Sequence, residues 1–213
     1  MDKSTPLGVI LAGGQSRRFG APKAFAEVDG KRMIERVRDA LQDALPEVVL
    51  ITQQPEAYAD LGIPSRADLL PGGGALAGVH CGLRWAQELG RPGAICVPCD
   101  MPFLSADLVR CLAARAMESR ALVVAPESMG PAGLEPLCAF YSVAFLPEIE
   151  ARLARCERAL TALLDPLHTD RLPLVEVLRL GDPDLLFLNV NTPEDYRRAL
   201  GLARAREEAN AGL

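Results

Sequence analysis

The stretch Leu7-Gly-Val-Ile-Leu-Ala-Gly-Gly14 decides the fold of this chain. From Leu7 to Ala12 it carries no polar side chain, and Gly13 and Gly14 close the run. A short, continuous apolar run that ends in turn residues is typical of a strand buried on both faces, as in a parallel sheet. The first element is therefore predicted to be a central strand followed by a tight turn.

Further apolar runs alternate with amphipathic segments along the rest of the chain. Strands are predicted at Val48–Thr52, Ala94–Pro98, Ala121–Ala125, Leu137–Tyr141 and Leu185–Val190. Helices are predicted at 31–45, 76–89, 106–119 with Ser105 as N-cap, 147–164 in two pieces, and from Thr192 onward. The last helix begins with Thr as N-cap, Pro in the first position and Asp195 in a capping-box position. This order predicts a three-layer α/β domain with a mostly parallel, Rossmann-like sheet.

Ligands of such sheets bind beyond the carboxyl ends of the strands. Gly13, Asp100 and Asn191 all fall just past the end of a predicted strand. We therefore expect these three residues to meet at one edge of the sheet.

Length and composition narrow the class of protein. The chain has 213 residues, which suits a single domain over 1–213, and its net charge of -5 argues against a nucleic-acid partner. A basic leader and an apolar run long enough for a membrane span are both missing from the sequence, so we expect a cytoplasmic protein without a membrane partner. Cys96 and Cys99 form a C-x-x-C pattern, but a zinc site needs a second close pair, and we predict buried thiols.

The segment after the first strand concentrates positive charge. Arg17, Arg18 and Lys23 follow the two glycines, and no acidic residue occurs from Val9 to Ala26. Glycines let backbone N–H groups approach phosphate oxygens, and a local cationic cluster in an acidic protein suits a polyphosphate. The loop matches neither G-x-G-x-x-G nor the P-loop pattern. The alternative is a strand-to-helix turn with solvated arginines.

Several segments together resemble a known family, the molybdenum cofactor guanylyltransferases, which are MobA-like nucleotidyltransferases. They occur in the family's order and span nearly the whole chain: Leu11-Ala-Gly-Gly-Gln-Ser-Arg-Arg-Phe-Gly-Ala-Pro-Lys23, Asp68-Leu-Leu-Pro-Gly-Gly-Gly-Ala-Leu-Ala-Gly78, Pro98-Cys-Asp-Met-Pro-Phe-Leu104, Glu135-Pro-Leu-Cys-Ala-Phe-Tyr141 and Phe187-Leu-Asn-Val-Asn-Thr-Pro-Glu-Asp195.

The resemblance implies a fold of the nucleotide-diphospho-sugar transferase type. It also implies Mg²⁺-dependent transfer of GMP from GTP to molybdopterin, with release of pyrophosphate. A nucleotide-binding part would cover about 1–105 and an acceptor-binding part about 106–195. We expect a monomer, with other proteins of cofactor biosynthesis as possible binding partners. The implied site residues fall into three groups: Arg18, Lys23 and Asp100 for catalysis; Leu11, Ala12, Gly13, Gly14, Lys23, Asp68 and Asp100 for the nucleotide; Asp100 and Asn191 for the metal.

Structural roles compete with these assignments at three positions. Asp100 could cap a turn or helix, Asp68 could cap its own loop, and Asn191 could form an Asx-type turn before Thr192. Three departures from the family pattern touch the base and acceptor contacts: Ala75 replaces a proline, Gln53 and Gln54 stand where an asparagine is frequent, and Cys156 replaces a glycine before Glu157-Arg158. His80, His168 and Trp85 are predicted to be structural or exposed.

Two other functions use the same residues differently. One is nucleotidyl transfer with CTP or another triphosphate, to molybdopterin or to a sugar phosphate. The other is non-catalytic nucleotide binding on the same scaffold, against which the combination of Arg18, Lys23 and Asp100 argues. A dinucleotide-dependent oxidoreductase is disfavoured because G-x-G-x-x-G is missing.

Overall fold

The computed structural model describes residues 4–13, 23–70, 73–130 and 132–211. Within these ranges seven strands form one sheet in the order β5-β4-β1-β6-β8-β7-β9. Its strands are β1 (Leu7–Ala12), β4 (Val48–Thr52), β5 (Ser65–Arg66), β6 (Gly93–Pro98), β7 (Val123–Pro126), β8 (Ala139–Ser142) and β9 (Thr169–Leu172). Two short strands, β2 (Glu27–Val28) and β3 (Lys31–Arg32), form a separate ribbon.

All neighbouring strands of the large sheet run parallel except at β8. That strand is antiparallel to both β6 and β7. The chain crosses from β6 through a helix to β7, which is not the neighbour of β6 in the sheet. It then returns as β8, which lies between these two strands. The predicted mostly parallel sheet is therefore confirmed, with one reversed strand in it.

Helices cover both faces of this sheet. They are α1 (Met33–Ala44), α2 (Gly74–Glu88), α3 (Ala106–Glu118), α4 (Leu146–Ala154), α5 (Leu174–Leu180), α6 (Pro183–Leu186) and α7 (Pro193–Ala211). Short 3₁₀ turns occur at Lys23–Phe25, Pro55–Leu61, Val143–Phe145 and Leu160–Leu163. None of the helices in the described ranges is long and apolar enough to span a membrane.

Side-chain alternation along β1 divides the core into two layers. Leu7, Val9 and Leu11 pack with α2 and α4, whereas Ile10 packs with α1 and α3. Successive residues of a strand point to opposite faces, so an apolar residue at every position requires a helical layer on each side. The three-layer α/β fold predicted from Leu7–Ala12 is confirmed.

The same alternation separates the two cysteines of the C-x-x-C pattern. Cys96 packs in the layer of α2, and Cys99 in the layer of α1. Neither forms a disulfide, and no group of three or more potential metal-ligating His, Cys, Asp or Glu side chains occurs in the described part of the chain. Both thiols are buried, as predicted.

One predicted strand is wrong. Residues 185–190 do not join the sheet; they begin as the end of α6 and continue as an irregular segment to 191. Asp182 caps α6 by accepting a hydrogen bond from the N–H of Asp184, with Pro183 in the first turn. Leu188 and Val190 are buried instead in a small cluster with α7. The strand prediction was wrong because a continuous apolar run indicates burial but not backbone conformation. The strand at the sheet edge is β9, which the sequence pattern did not reveal.

Candidate active site

The carboxyl ends of β1 and β6 form the centre of the candidate site. Leu11 lies opposite Pro98 in the parallel register, and the N–H of Cys99 donates to the carbonyl of Leu11 over 3.1 Å. Ala12, Gly13 and Asp100 therefore lie side by side at one edge, as the sequence predicts. Asp100 is only 5% exposed, so its carboxylate is held in a site largely closed to water.

A rigid turn holds Asp100 in place after β6. The N–H of Leu104 donates to the carbonyl of Met101, whose side chain is fully buried. Arg36 of α1 reaches over to donate a hydrogen bond from Nε to the carbonyl of Pro102 at 3.2 Å. The N-cap of α3 is Ser105, whose hydroxyl accepts from the N–H of Leu108, so capping that helix does not fall to Asp100.

Asn191 reaches the same edge by a route that the sequence did not predict. It follows no strand; instead the N–H of Val190 donates to the carbonyl of Asp100 at 3.0 Å and brings the two segments together. The capping box of α7 then fixes the backbone: the carboxylate of Asp195 accepts from the N–H groups of Asn191 and Thr192 at 3.0 and 2.8 Å. The N–H of Asp195 donates in return to the hydroxyl of Thr192 at 3.1 Å, so the predicted capping box is confirmed.

Helix α2 presents its N-terminus at this edge and packs closely against β1. A Cβ atom on Gly78 would lie 3.1 Å from the end of the Leu11 side chain, and one on Gly82 would lie 2.9 Å from Val9. Gly74 has a φ of +70°, a conformation that glycine adopts without strain. The N-cap residue of α2 is Gly73, which has no side chain to cap the helix, so the first N–H groups and the dipole of α2 suit an anionic ligand.

Asp68 lies in the loop before α2. Its carboxylate accepts a hydrogen bond from the N–H of Leu70 at 2.9 Å, which is the loop-capping role weighed against nucleotide contact. Burial raises the pKa of this carboxyl above its usual value, although that hydrogen bond and the nearby His80 oppose the change. A role at the nucleotide stays a prediction.

Glu135 is a residue of the site that the sequence reasoning did not assign. Between the pair Val124–Phe140 and the bridge Glu127–Leu134, two residues of one strand face five of the other, and Glu135 opens that bulge. Burial raises the pKa of Glu135 to about 7; a hydrogen bond from the N–H of Leu137 opposes the rise, and the negative charge of Asp100 adds to it. The available signal was a single acidic residue at the start of an apolar strand segment, Leu134-Glu-Pro-Leu-Cys138.

Most of the glycine-rich loop lies outside the residues that the structure describes. Gly14, Arg17 and Arg18 lie outside the described residues, as does the side chain of Lys23, whose backbone begins the 3₁₀ turn Lys23–Phe25. Their predicted contacts with phosphates stay predictions. Two residues with predicted structural roles are buried, as expected. The guanidinium of Arg66 lies over the ring of Trp85, and Nε2 of His80 lies 3.2 Å from Glu150.

Known proteins share this chain's sequence and fold. Residues 8–171 match the family model described as the MobA-like NTP transferase domain. The molybdenum cofactor guanylyltransferase of Desulfosudis oleivorans is 36% identical over 93% of this chain and 96% of its own length. The enzyme of the same name from Rhodobacter capsulatus is 35% identical, covering 90% and 93%. Molybdopterin-guanine dinucleotide biosynthesis protein A of Archaeoglobus fulgidus has the same fold, with a TM-score of 0.77, 24% identity, and 93% and 99% coverage. The chain belongs to the MobA-like NTP transferase family of nucleotidyltransferases.

Proposed function

We propose that this enzyme transfers GMP from GTP to molybdopterin, forming the guanine dinucleotide cofactor and pyrophosphate. The observation that carries the proposal is the identity of 36% with a molybdenum cofactor guanylyltransferase over 93% of this chain. The geometry of the sheet edge supports it, since Leu11, Ala12, Gly13 and Asp100 lie together where α/β sheets bind nucleotides. A cytoplasmic location and a monomeric state remain predictions.

The reaction joins two anions. A phosphate oxygen of the acceptor attacks the α-phosphorus of GTP, a new P–O bond forms, and the bond from the α-phosphorus to the α,β-bridging oxygen breaks as pyrophosphate leaves. The attacking phosphate is already ionised near pH 7, so the residues need to supply position and charge neutralisation rather than a general base. The N-terminus of α2 would face the phosphates, and Arg18 and Lys23 are proposed to neutralise them.

The site suits a divalent cation. Asp100 offers a buried carboxylate. The hydrogen bond from the N–H of Val190 to the backbone carbonyl of Asp100 brings the next residue, Asn191, alongside, and its side-chain amide oxygen can ligate a metal. Mg²⁺ takes few protein oxygens and completes its shell with water and substrate phosphates, so a set of one carboxylate and one amide fits it. When bound there, the cation would offset charge on the phosphates of GTP.

The four nucleoside triphosphates, each incubated with molybdopterin and Mg²⁺, test the proposal. We expect pyrophosphate release and dinucleotide formation with GTP well above the other three. Preferential use of CTP would reject the guanylyl assignment and leave a related nucleotidyltransferase. Transfer to a sugar phosphate but not to molybdopterin would reject the acceptor.

An Asp100→Asn variant separates the enzyme from a non-catalytic nucleotide-binding protein. We expect it to fold and to lose activity by about 10²-fold or more, the scale seen when charge stabilisation at a reacting phosphate or oxyanion is removed. Asp107→Asn is the matched control: Asp107 lies seven residues further on, is exposed in the first turn of α3, and pairs with Arg110 at 2.6 Å. Equal activity of the two variants would contradict a catalytic role for Asp100.

A further inference from the structure

Glu135 is a partly buried carboxylate that the proposed reaction does not use. Within the described residues it has no cationic partner: none of the salt bridges includes it, and the N–H of Leu137 is its one hydrogen-bond donor. An ionised carboxylate can accept about four hydrogen bonds, and removing it from water without a partner is unfavourable. Such a group in a functional site calls for donors from a ligand.

The position of Glu135 indicates which ligand. It precedes β8, the strand between β6, whose last residue is two positions before Asp100, and the outer strands β7 and β9. Its N–H is bonded to the carbonyl of Pro126 at the end of β7, so the bulge is anchored on the β7 side of the edge. The negative charge of Asp100 nevertheless acts on Glu135. An acceptor that approaches Asp100 from the side opposite β1 passes this carboxylate.

The sign of the charge narrows the chemistry further. A carboxylate repels phosphates, so Glu135 does not suit the triphosphate or the attacking phosphate of the acceptor. It suits a group with neighbouring N–H donors. Guanine has such an edge as well as the pterin, but Glu135 lies on the β7 side of Asp100, away from β1 and the predicted nucleotide residues, which favours the acceptor. The pterin ring has such an edge, in which the 2-amino group stands next to a ring N–H, and two parallel N–H···O bonds match one carboxylate.

We propose that Glu135 is an acceptor-specificity residue, which accepts two hydrogen bonds from the 2-amino and ring N–H groups of a pterin. The inference rests on the proposed function, because it assumes a pterin phosphate as acceptor. It adds that the enzyme distinguishes a pterin from a sugar by this edge. A sugar phosphate offers hydroxyl groups instead, whose O–H donors rotate and lack the fixed, parallel arrangement of the two N–H groups.

Binding of two heterocycles without phosphate tests this inference. 6-Hydroxymethylpterin and 6-hydroxymethyllumazine differ at position 2, where the lumazine carries oxygen in place of the amino group. Fluorescence titration in the presence of GTP and EDTA should show that the parent protein binds the pterin about 10- to 100-fold more tightly, the range expected for hydrogen bonds to a charged group. In Glu135→Gln this preference should fall to about threefold or less, because the amide lacks the charge and offers only one acceptor oxygen.

Two further variants make the result specific. Glu118→Gln, an exposed glutamate at the end of α3, should keep the full preference for the pterin. Glu135→Asp keeps the charge but shortens the side chain, and it should weaken pterin binding while leaving GTP binding unchanged. Thermal unfolding of each variant establishes that it is folded before titration.

The outcomes separate this inference from the proposed function. If the parent protein transfers GMP to molybdopterin but Glu135→Gln retains its preference for pterin over lumazine, the role of Glu135 is refuted and the function stands. If Glu135→Gln loses GTP affinity to the same degree as pterin affinity, Glu135 acts through Asp100 and the inference is again refuted. If the parent protein forms no dinucleotide with any triphosphate, the proposed function fails.

Discussion

The packing of α2 on β1 makes a quantitative prediction about two glycines. In Gly82→Ala the new methyl group would lie 2.9 Å from Cγ1 and 3.2 Å from Cγ2 of Val9, which is completely buried and β-branched. Overpacking of this kind costs about 1–3 kcal/mol, and the better helix propensity of alanine offsets about 1 kcal/mol of it. We expect a net loss of up to about 2 kcal/mol, which for a domain of this size lowers the Tm by up to roughly 4–8 °C.

In Gly78→Ala the same change occurs one helical turn earlier, against a softer neighbour. The methyl group would lie 3.1 Å from Cδ2 of Leu11, the end of a flexible side chain, so a small shift relieves the contact. The gain in helix propensity should then cancel the cost, and the Tm should stay within about 2 °C of the parent. Because Leu11 is a predicted nucleotide contact, its displacement by a few tenths of an ångström should raise KM for GTP about three- to tenfold.

Differential scanning calorimetry and steady-state kinetics on the two variants form one test, because each serves as the control for the other. Gly82→Ala should be the less stable protein with the more normal KM, and Gly78→Ala the reverse. If Gly78→Ala proves the less stable of the pair, the contact with Val9 does not govern stability. If both variants raise KM for GTP equally, the contact with Leu11 does not govern GTP binding.

Three further predictions concern groups around the site. Thr192→Ala removes one side of the capping box and should cost about 1 kcal/mol in urea unfolding, while raising the Mg²⁺ concentration needed for half-maximal activity. Glu47→Ala removes a carboxylate that lies 2.7 Å from the guanidinium of Arg91, whose side chain is 2% exposed, and should cost about 3 kcal/mol by the same measurement. Because the pKa of Glu135 is raised to about 7 in the folded protein, the free energy of unfolding in EDTA should fall between about pH 4.5 and pH 7 by an amount on the order of 2 kcal/mol, and this fall should disappear in Glu135→Gln. An unchanged stability of the first two variants, or parallel pH profiles in the third comparison, would contradict the corresponding contact.

Much of the fold was predictable because its strongest signals are local. Leu7–Ala12 and Val48–Thr52 are apolar at nearly every position, which is typical of a strand covered on both faces. Ser105 and Thr192 fixed helix starts through side-chain hydrogen bonds that depend on a few neighbouring residues. Asp100 was predictable for the same reason, since it comes two residues after the apolar run Ala94–Pro98.

Signals that depend on tertiary partners were not predictable in this way. Residues 185–190 resemble a buried strand, but their burial is provided by α7 rather than by sheet neighbours. β9 carries the polar sequence Thr169-Asp-Arg-Leu172 and is a strand because its backbone pairs with β7. Glu135 enters the site through a bulge whose size depends on the register of two strands, and no pattern within the sequence of one strand encodes that register.

The single reversed strand explains how donor and acceptor can be served by different segments at one edge. In a wholly parallel sheet only the residues that follow strands reach the carboxyl edge. Because β8 is antiparallel, it brings to that edge the residues that precede it, and Glu135 is among them. Asp100 follows β6 and Glu135 precedes β8, so the two carboxylates lie beyond the ends of adjacent strands although 35 positions separate them in the sequence. Lengthening the bulge by one residue after Glu135 should therefore displace this carboxylate and weaken pterin binding, while Asp100 and GTP binding stay unchanged. Equal losses in both titrations would show that the two halves of the edge are not independent.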